Sequence, residues 1–397
     1  MKKQFVPVFD RYCQGYKENS IIFRESKKAP LRIAILGTRG IPANYGGFET
    51  FAEALSKSLV ERGHEVTVYG RSHYVDRSIR SYRGVRVIVV PSVPHKYLDT
   101  PSSTLLATLD AVFRRFDLIL YCNSANSFCS FLPRAAGKRV LLNVDGLEWK
   151  RAKWNRFGQA VYRISEFLST FLPDHIVTDA REVQRYYSSQ FHCASTYIPY
   201  GAPIGRVRTQ GALRTFGLKK NQYILYVSRL EPENNAHIVI EAFEKVKTDM
   251  PLLIVGDAPY SHDYIRRLKR TKDSRIRFTG YVFGQGYREL QSHAYCYVQA
   301  TEVGGTHPAL VEAMGHGNCI LANDVPEHRE VLGDAGLYFR TACCDTLTER
   351  FQNVVDNPRK VEEFKKRSKA RAEARYTWDK VTDAYERLFY RMMGRQS

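Results

Sequence analysis

The stretch from Ala294 to Asn323 constrains the fold more than any other part of the chain. Tyr295 to Gln299 alternates aromatic and β-branched residues as a buried strand does, and Cys319 to Ala322 is a second short apolar run suited to a parallel sheet. Parallel strands need a crossover, and the residues between these two predict a helix. Gly304 and Gly305 allow a tight turn and close approach to a ligand, Thr306 is placed to cap, and Pro308 suits the first helical position, where no N–H is required. The N–H groups and positive dipole end of that helix, facing a glycine loop at the carboxyl end of a strand, make a site for a phosphate. Glu312 falls about one turn inside the helix. Its carboxylate would repel a phosphate in direct contact, so hydroxyls of a ribose or sugar are its expected partners. Phosphate and hydroxyls together point to a sugar nucleotide. An ordinary β-α-β crossover with a surface glutamate accounts for the same residues.

At 397 residues the chain is too long for one ordinary core, and two α/β domains of roughly 150 to 200 residues are expected. No apolar run approaches the roughly 20 residues of a membrane-spanning helix. The start has Asp10 and Arg11 where a signal peptide needs its apolar core, so a cytoplasmic location is expected. Eight scattered cysteines without zinc-ligand spacing are read as reduced thiols. Sixty Lys and Arg against 41 Asp and Glu leave a formal charge of +19, which favours nucleic acid, an anionic membrane surface or phosphorylated substrates. A plain cationic surface would give the same number. Arg114-Arg115 and the segment Lys150-Arg151-Lys153-Trp154-Arg156-Phe157 mix basic and aromatic residues as interfacial segments do. No nucleic-acid-binding motif is present, so a nucleic-acid-binding protein rests on charge alone as the less favoured alternative, and nucleic acid is not an expected partner.

Residues 1–30 have no clear period and are treated as an N-terminal extension. LRIAILG from Leu31 is a buried-strand run, followed by a long loop holding Gly37, Gly40, Gly46 and Gly47 and then by helical periodicity. This Rossmann-type opening is neither GxGxxG nor a P-loop. HEVTVYGR, VRVIVVPS, DLILYCNS, KRVLLNVDG and HIVTDA continue the alternating strands of a parallel sheet, with His73 in the loop after the first of them. Sites in doubly wound sheets lie at strand carboxyl ends, so Asp145 and the group Glu148, Trp149, Lys150 and Arg151 are expected at the cleft. In the second half, QYILYVSRL ends near Arg229, and PLLIVGDAP and RIRFTGYV supply further strands. An arginine at a strand end commonly serves a structural ion pair, but its planar fork also suits a diphosphate.

The segment GGTHPALVEAMGHG followed by CILANDVPEHREVL resembles the donor site of the retaining GT-B glycosyltransferases of family GT4. TYIPYGAP resembles the family's interdomain linker, Ser228-Arg229-Leu230 its Gly-Arg-Leu motif, and YTWDKVTDAYERLFYRMM its terminal helix. NVDGLEWKRAKW and GTRGIPANYGGFETFAEAL resemble a subgroup of bacterial polysaccharide enzymes that includes rhamnosyltransferases. The resemblance implies an α/β fold of two doubly wound, Rossmann-like domains facing across a cleft, 31–199 and 200–375, with a C-terminal helix, 376–397, crossing back to the first. It implies a nucleoside diphosphate sugar as donor, with activated L-rhamnose as the candidate, a glycan or lipid-linked acceptor, an anionic membrane surface as partner, and neither cofactor nor metal.

In that family the pair matching Gly46 and Gly47 lies near the donor phosphates, and the arginine matching Arg229 binds the pyrophosphate. The stretch from Gly280 to Val282 falls where the base is held, and Glu312 matches the glutamate on the ribose. Two departures stand out. The first glutamate of the family's Glu-x7-Glu pair is replaced by Gly304, with Glu302 nearby but out of register, and the partner lysine of the arginine is replaced by Asn234. The donor set is thus Gly46, Gly47, Arg229, Asn234, Gly280, Gly304, Gly305, Thr306, His307 and Glu312, the acceptor set His73, Asp145, Glu148, Trp149, Lys150 and Arg151. Arg229, Asp145 and His307 are expected at the reacting centre. A sugar-nucleotide epimerase of the same fold is the alternative enzyme.

Overall fold

The structure is a computed structural model of the chain and describes residues 29–44, 46–95, 97–151, 154–258 and 261–394. The expected N-terminal extension lies almost wholly outside the described residues. From Leu31 onward the apolar runs become strands buried on both faces, as parallel sheets covered by helices require.

The first sheet contains β1 (Arg32–Leu36), β2 (Glu65–Arg71), β3 (Ser81–Tyr82), β4 (Val85–Val90), β5 (Leu118–Cys122), β6 (Arg139–Val144), β7 (His175–Thr178) and β8 (Thr196–Tyr197). Their order is β3-β4-β2-β1-β5-β6-β7-β8, parallel except where β3 meets β4. The second sheet contains β9 (Ile224–Val227), β10 (Leu252–Val255), β11 (Ile276–Gly280), β12 (Cys296–Gln299), β13 (Cys319–Asn323) and β14 (Leu337–Phe339). It is ordered β11-β10-β9-β12-β13-β14.

Both sheets reverse direction once, between β1 and β5 in the first and between β9 and β12 in the second. At such a switch the connections leave to opposite sides, and a crevice opens beyond the carboxyl ends of the two central strands. The loops after β1, β5, β9 and β12 all line one cleft.

The helix Trp378–Met392 starts at Thr377, whose side chain accepts from the N–H of Lys380, and returns to the first sheet's helix Gly47–Glu61. There Tyr385 packs on Phe51 with ring centroids 5.4 Å apart and accepts from Asn143 Nδ2 at 2.8 Å. Arg62 pairs with Asp383 at 2.6 Å and Glu386 at 3.0 Å. The two chain crossings touch, Ala202 N–H donating to Tyr376 O at 2.6 Å. An ideal Cβ on Gly201 would lie 2.5 Å from the Trp378 ring, so this crossing needs a glycine. One apolar core continues through both halves by way of Phe51, Tyr200, Leu310 and Tyr385. This is the two-domain architecture with a returning helix that the resemblance implied.

No helix among the described residues is long and apolar enough to cross a membrane. The seven described cysteines are free thiols.

Candidate active site

A cleft of about 1490 Å³ lies between the two halves. Two helices begin there, Gly47–Glu61 after β1 and Pro308–Gly315 after β12, one from each switch point. Their N-terminal ends meet: an ideal Cβ on Gly47 would stand 2.7 Å from Pro308 Cγ. The glycine turn before the second helix is pressed equally close to the first half. A Cβ on Gly146 would fall 2.3 Å from the backbone carbon of Gly304, and one on Gly305 would fall 2.2 Å from Asp179 Oδ1. These glycines let two backbones touch as well as line the cleft.

Thr306 corrects the sequence expectation. The N-cap of the helix is His307, and Thr306 makes no cap bond. Its N–H donates to Asp179 Oδ2 at 2.9 Å, and its hydroxyl donates to Asp179 O. Neither group is therefore open to a phosphate. Pro308 has no N–H, and Leu310 and Val311 donate to His307 O, so His307 and Ala309 supply the remaining N–H groups of this turn. Burial first, and the Asp145 carboxyl second, push Asp179 well above the usual carboxylate range. Asp145 is also raised, by burial and then Glu148, against the pull of Arg151 and Arg229. Burial and mutual repulsion thus both act against ionisation of this pair.

His307 belongs to a buried chain of hydrogen bonds whose direction can be worked out. His328 Nδ1 lies 2.8 Å from Asn323 O, which can only accept, so Nδ1 carries the hydrogen and Nε2 accepts from Thr301 Oγ1 at 3.2 Å. Burial holds His328 neutral, its pKa lowered to about 4. Gln299 Nε2 also donates to Thr301 Oγ1, at 2.6 Å. The hydroxyl's one hydrogen is thus committed, and His307 Nε2, 3.0 Å away, is a donor. Burial, His328 and the nearby arginines keep His307 neutral. Its Nδ1 then holds a lone pair.

Arg229 follows β9 and lines the cleft, its Nε 3.9 Å from Glu231 Oε2. Arg151 crosses from the first half into the same cluster: it pairs with Glu148 at 2.7 Å and lies 3.7 Å from Glu231 and 4.0 Å from Glu233. Asn234 does not stand in for the missing cation. Its Nδ2 donates to Arg229 O at 2.7 Å and its own carbonyl accepts from Tyr226 OH, so its amide closes the arginine's loop.

Glu312 lines the cleft and accepts from Tyr287 OH at 2.6 Å, while Gln291 Nε2 donates to that hydroxyl. Burial raises the carboxyl to about 7, against the pull of Tyr287 and Arg288. Glu302 is held elsewhere, by Asn235 and Thr341.

Four further expectations are corrected. Gly280 accepts from Gly256 N–H and is not part of the lining, which there is Tyr281 and Val282. His73 bonds to Asp99 at 3.0 Å outside the lining, and Arg71, His95 and Asp99 face the cleft at that corner. Trp149 and Lys150 turn away because Glu148–Lys150 is a 3-10 turn, in which side chains three apart eclipse. Glu148 and Arg151 therefore share the cleft side, while Trp149 stacks under Arg163 at 4.3 Å, with Lys150 beside it. Gly46, Gly47, Asp145, Glu148, Arg151, Arg229, Gly304, Gly305, His307 and Glu312 all come to the one cleft. Asp179, Tyr287, Glu231 and Glu233 were not anticipated. Asp179 carried a usable signal, since it ends β7 as Asp145 ends β6, on adjacent parallel strands.

Residues 45–206 match the family described as Glycosyltransferase Family 4, and residues 221–357 match Glycosyl transferases group 1. Each half of the chain thus carries a glycosyltransferase domain. The chain is 26% identical over 159 residues to O-antigen chain mannosyltransferase B of Escherichia coli, covering 38% of this chain and 41% of that protein. It is 24% identical over 185 residues, 46% of this chain and 49% of the relative, to the N-acetylgalactosamine-N,N'-diacetylbacillosaminyl-diphospho-undecaprenol 4-alpha-N-acetylgalactosaminyltransferase of Campylobacter jejuni. The matches span about half the length of these curated relatives or less. Among solved structures, sucrose-phosphate synthase of Thermosynechococcus elongatus superposes with a TM-score of 0.77 at 16% identity, covering 92% of this chain and 99% of that one. HepE of Anabaena, in complex with UDP-glucose, superposes with a TM-score of 0.73 at 17% identity, covering 90% and 99%. The fold is GT-B.

Proposed function

We propose that this chain is a retaining glycosyltransferase that moves a sugar from a nucleoside diphosphate donor to a glycan or lipid-linked acceptor in bacterial surface polysaccharide synthesis, at the cytoplasmic face of the membrane. The observation that carries it is the meeting of two helix N-termini beside Arg229 at paired switch points, a concentration of positive charge suited to a diphosphate. The relatives' names support the acceptor class, one acting on an O-antigen chain and one on a diphospho-undecaprenol glycan. The bound UDP-glucose of the Anabaena structure supports the donor class. The motifs around Asp145 and Gly46 support L-rhamnose as the sugar.

In this reading Arg229 and the helix at Pro308 stabilise charge growing on the leaving diphosphate while the acceptor attacks from the same face. Glu312 holds the ribose, with Tyr281 and Val282 near the base. His307 Nδ1 accepts from a sugar hydroxyl, and Asp145, Glu148 and Arg151 form the acceptor wall. Positive side chains and helix ends take the place of a metal.

The test is release of nucleoside diphosphate from a panel of nucleotide sugars, with and without a chelator. One saturable donor whose turnover survives chelation is expected. Absence of both release and saturable diphosphate binding would overturn the reading. Asp145, Asp179 and His307, gathered at the glycine turn, favour one second reading, a sugar-nucleotide epimerase. It would interconvert the donor without acceptor and without lasting release of diphosphate.

A further inference from the structure

Two helices of the first half are inside out. Along Asp99–Phe113 the buried positions are Ser103, Thr104, Ala107, Thr108 and Ala111, small or polar, whereas Leu105, Leu106, Leu109 and Phe113 are exposed, the last by 86%. Along Arg156–Ser169 the buried positions are Gly158, Ser165, Glu166 and Ser169, whereas Phe157, Val161, Ile164 and Phe167 form an exposed stripe. A surface helix of a water-soluble domain buries its apolar stripe, so this reversal calls for an apolar partner beyond the described residues.

The two helices share a base. Thr104 Oγ1 donates to Asn126 and Ser127 Oγ donates to Ser165 O, so both lie against the turn Ser124–Cys129. The exposed charges carried by the two helices, Arg156 and Arg163, are both positive. The three carboxylates of the two helices turn from the exposed face: Asp99 takes Arg71 and His73, Asp110 takes Arg114 and Tyr69, and Glu166 is buried with Tyr186. Arg115, Lys150 and Arg156 stand exposed at the margins.

We propose that these two helices form a docking face for an anionic lipid bilayer, the apolar stripes entering the acyl boundary and the flanking cations meeting head groups. A protein partner would meet apolar residues equally well, but the exposed cations beside the stripes favour anionic lipid. Asp99, Trp154 and Tyr162 line the cleft, which therefore opens beside this face. The inference does not depend on the transfer reading, since it concerns a surface outside the cleft.

Flotation of the full chain with phosphatidylcholine vesicles, and with vesicles also containing phosphatidylglycerol, tests it. The chain is expected to float with the anionic vesicles, poorly with neutral ones, and less as salt is raised beyond about 0.1 M, where the Debye length is about 10 Å. The double substitution Phe157→Ser with Ile164→Ser leaves the charge unchanged and alters only exposed side chains. It should lower partitioning at least about tenfold at an unchanged melting temperature, as loss of two buried apolar groups implies. Equal flotation of the variant, or none of either protein, would overturn the proposal. So would a dimer that the same substitutions dissociate without any lipid binding, which would make the face a contact between two copies.

Discussion

Asp179 and Thr306, 127 residues apart, join the two halves of the cleft through an N–H to carboxylate bond of 2.9 Å and a hydroxyl to carbonyl bond. Because burial and Asp145 raise the Asp179 pKa, the fold favours the protonated form of this carboxyl, and that contribution, full below the ordinary carboxylate range, is lost as pH rises through the raised value. Asp179→Asn imitates the protonated carboxyl and should stay within about 1 kcal/mol of the parent, with less loss of stability as pH rises above the ordinary carboxylate range. Asp179→Ala leaves a buried N–H unmet and should cost about 1 to 3 kcal/mol in urea denaturation. Equal cost for both variants would deny this carboxyl its proton.

Gly146→Ala places a methyl group against the backbone of Gly304, where nothing flexible can yield. Beside the core they share, each half has a further core of its own, so the variant should fold, with about 1 to 3 kcal/mol of overpacking relieved by opening the cleft. Small-angle scattering should give a larger radius of gyration, and kcat/KM should fall. An unchanged radius with full activity would show that the halves do not work in this contact.

Arg229→Ala should weaken nucleoside diphosphate binding by roughly 2 to 5 kcal/mol. Glu231 keeps Arg151 nearby, so folding should survive. Calorimetry with unchanged affinity in a folded variant would remove the arginine from the donor site.

Glu312 titrates in the working range. If its ionised form holds the ribose, donor affinity should rise about tenfold from roughly pH 6 to pH 8 and then level off, since the carboxyl ionises about 7. The stability sign is opposite: this group's contribution is complete in acid and lost as pH passes about 7. Glu312→Gln should flatten the affinity profile and raise KM with little change in kcat, the mark of binding shared by ground and transition states. Tyr287→Phe removes the hydrogen bond that favours the ionised form and should move the affinity rise to higher pH. A large fall in kcat with constant KM for Glu312→Gln would place the residue at the reacting carbon.

The long strands were legible because parallel strands, covered on both faces, appear as unbroken apolar runs; β3 and β8, two residues each, leave no such trace. Asp145, Glu148, Arg151 and Arg229 were legible as chemistry placed at strand ends. Trp149 and Lys150 were misplaced because sequence adjacency says nothing of facing in a 3-10 turn. Thr306 and Asn234 line the cleft as expected, but the bonds they make there were not legible. Each has the right group for a ligand, but a carboxyl from a distant strand or a carbonyl five residues back takes it first. The two inside-out helices were legible only as scattered basic and aromatic residues, since which side of a helix faces the sheet depends on the packing.

The double crossing of the chain sets what the cleft can do mechanically. Two covalent links run between the halves, near Ala202 and near Tyr376, and they lie against each other. Two adjacent parallel straps behave as a door hung on one edge. Rotation about that line stretches neither, while sliding one half past the other would shear the bond between Ala202 and Tyr376. The available motion is therefore a swing that parts Pro308 from Gly47 and Thr306 from Asp179 together, exposing both walls of the cleft in a single step.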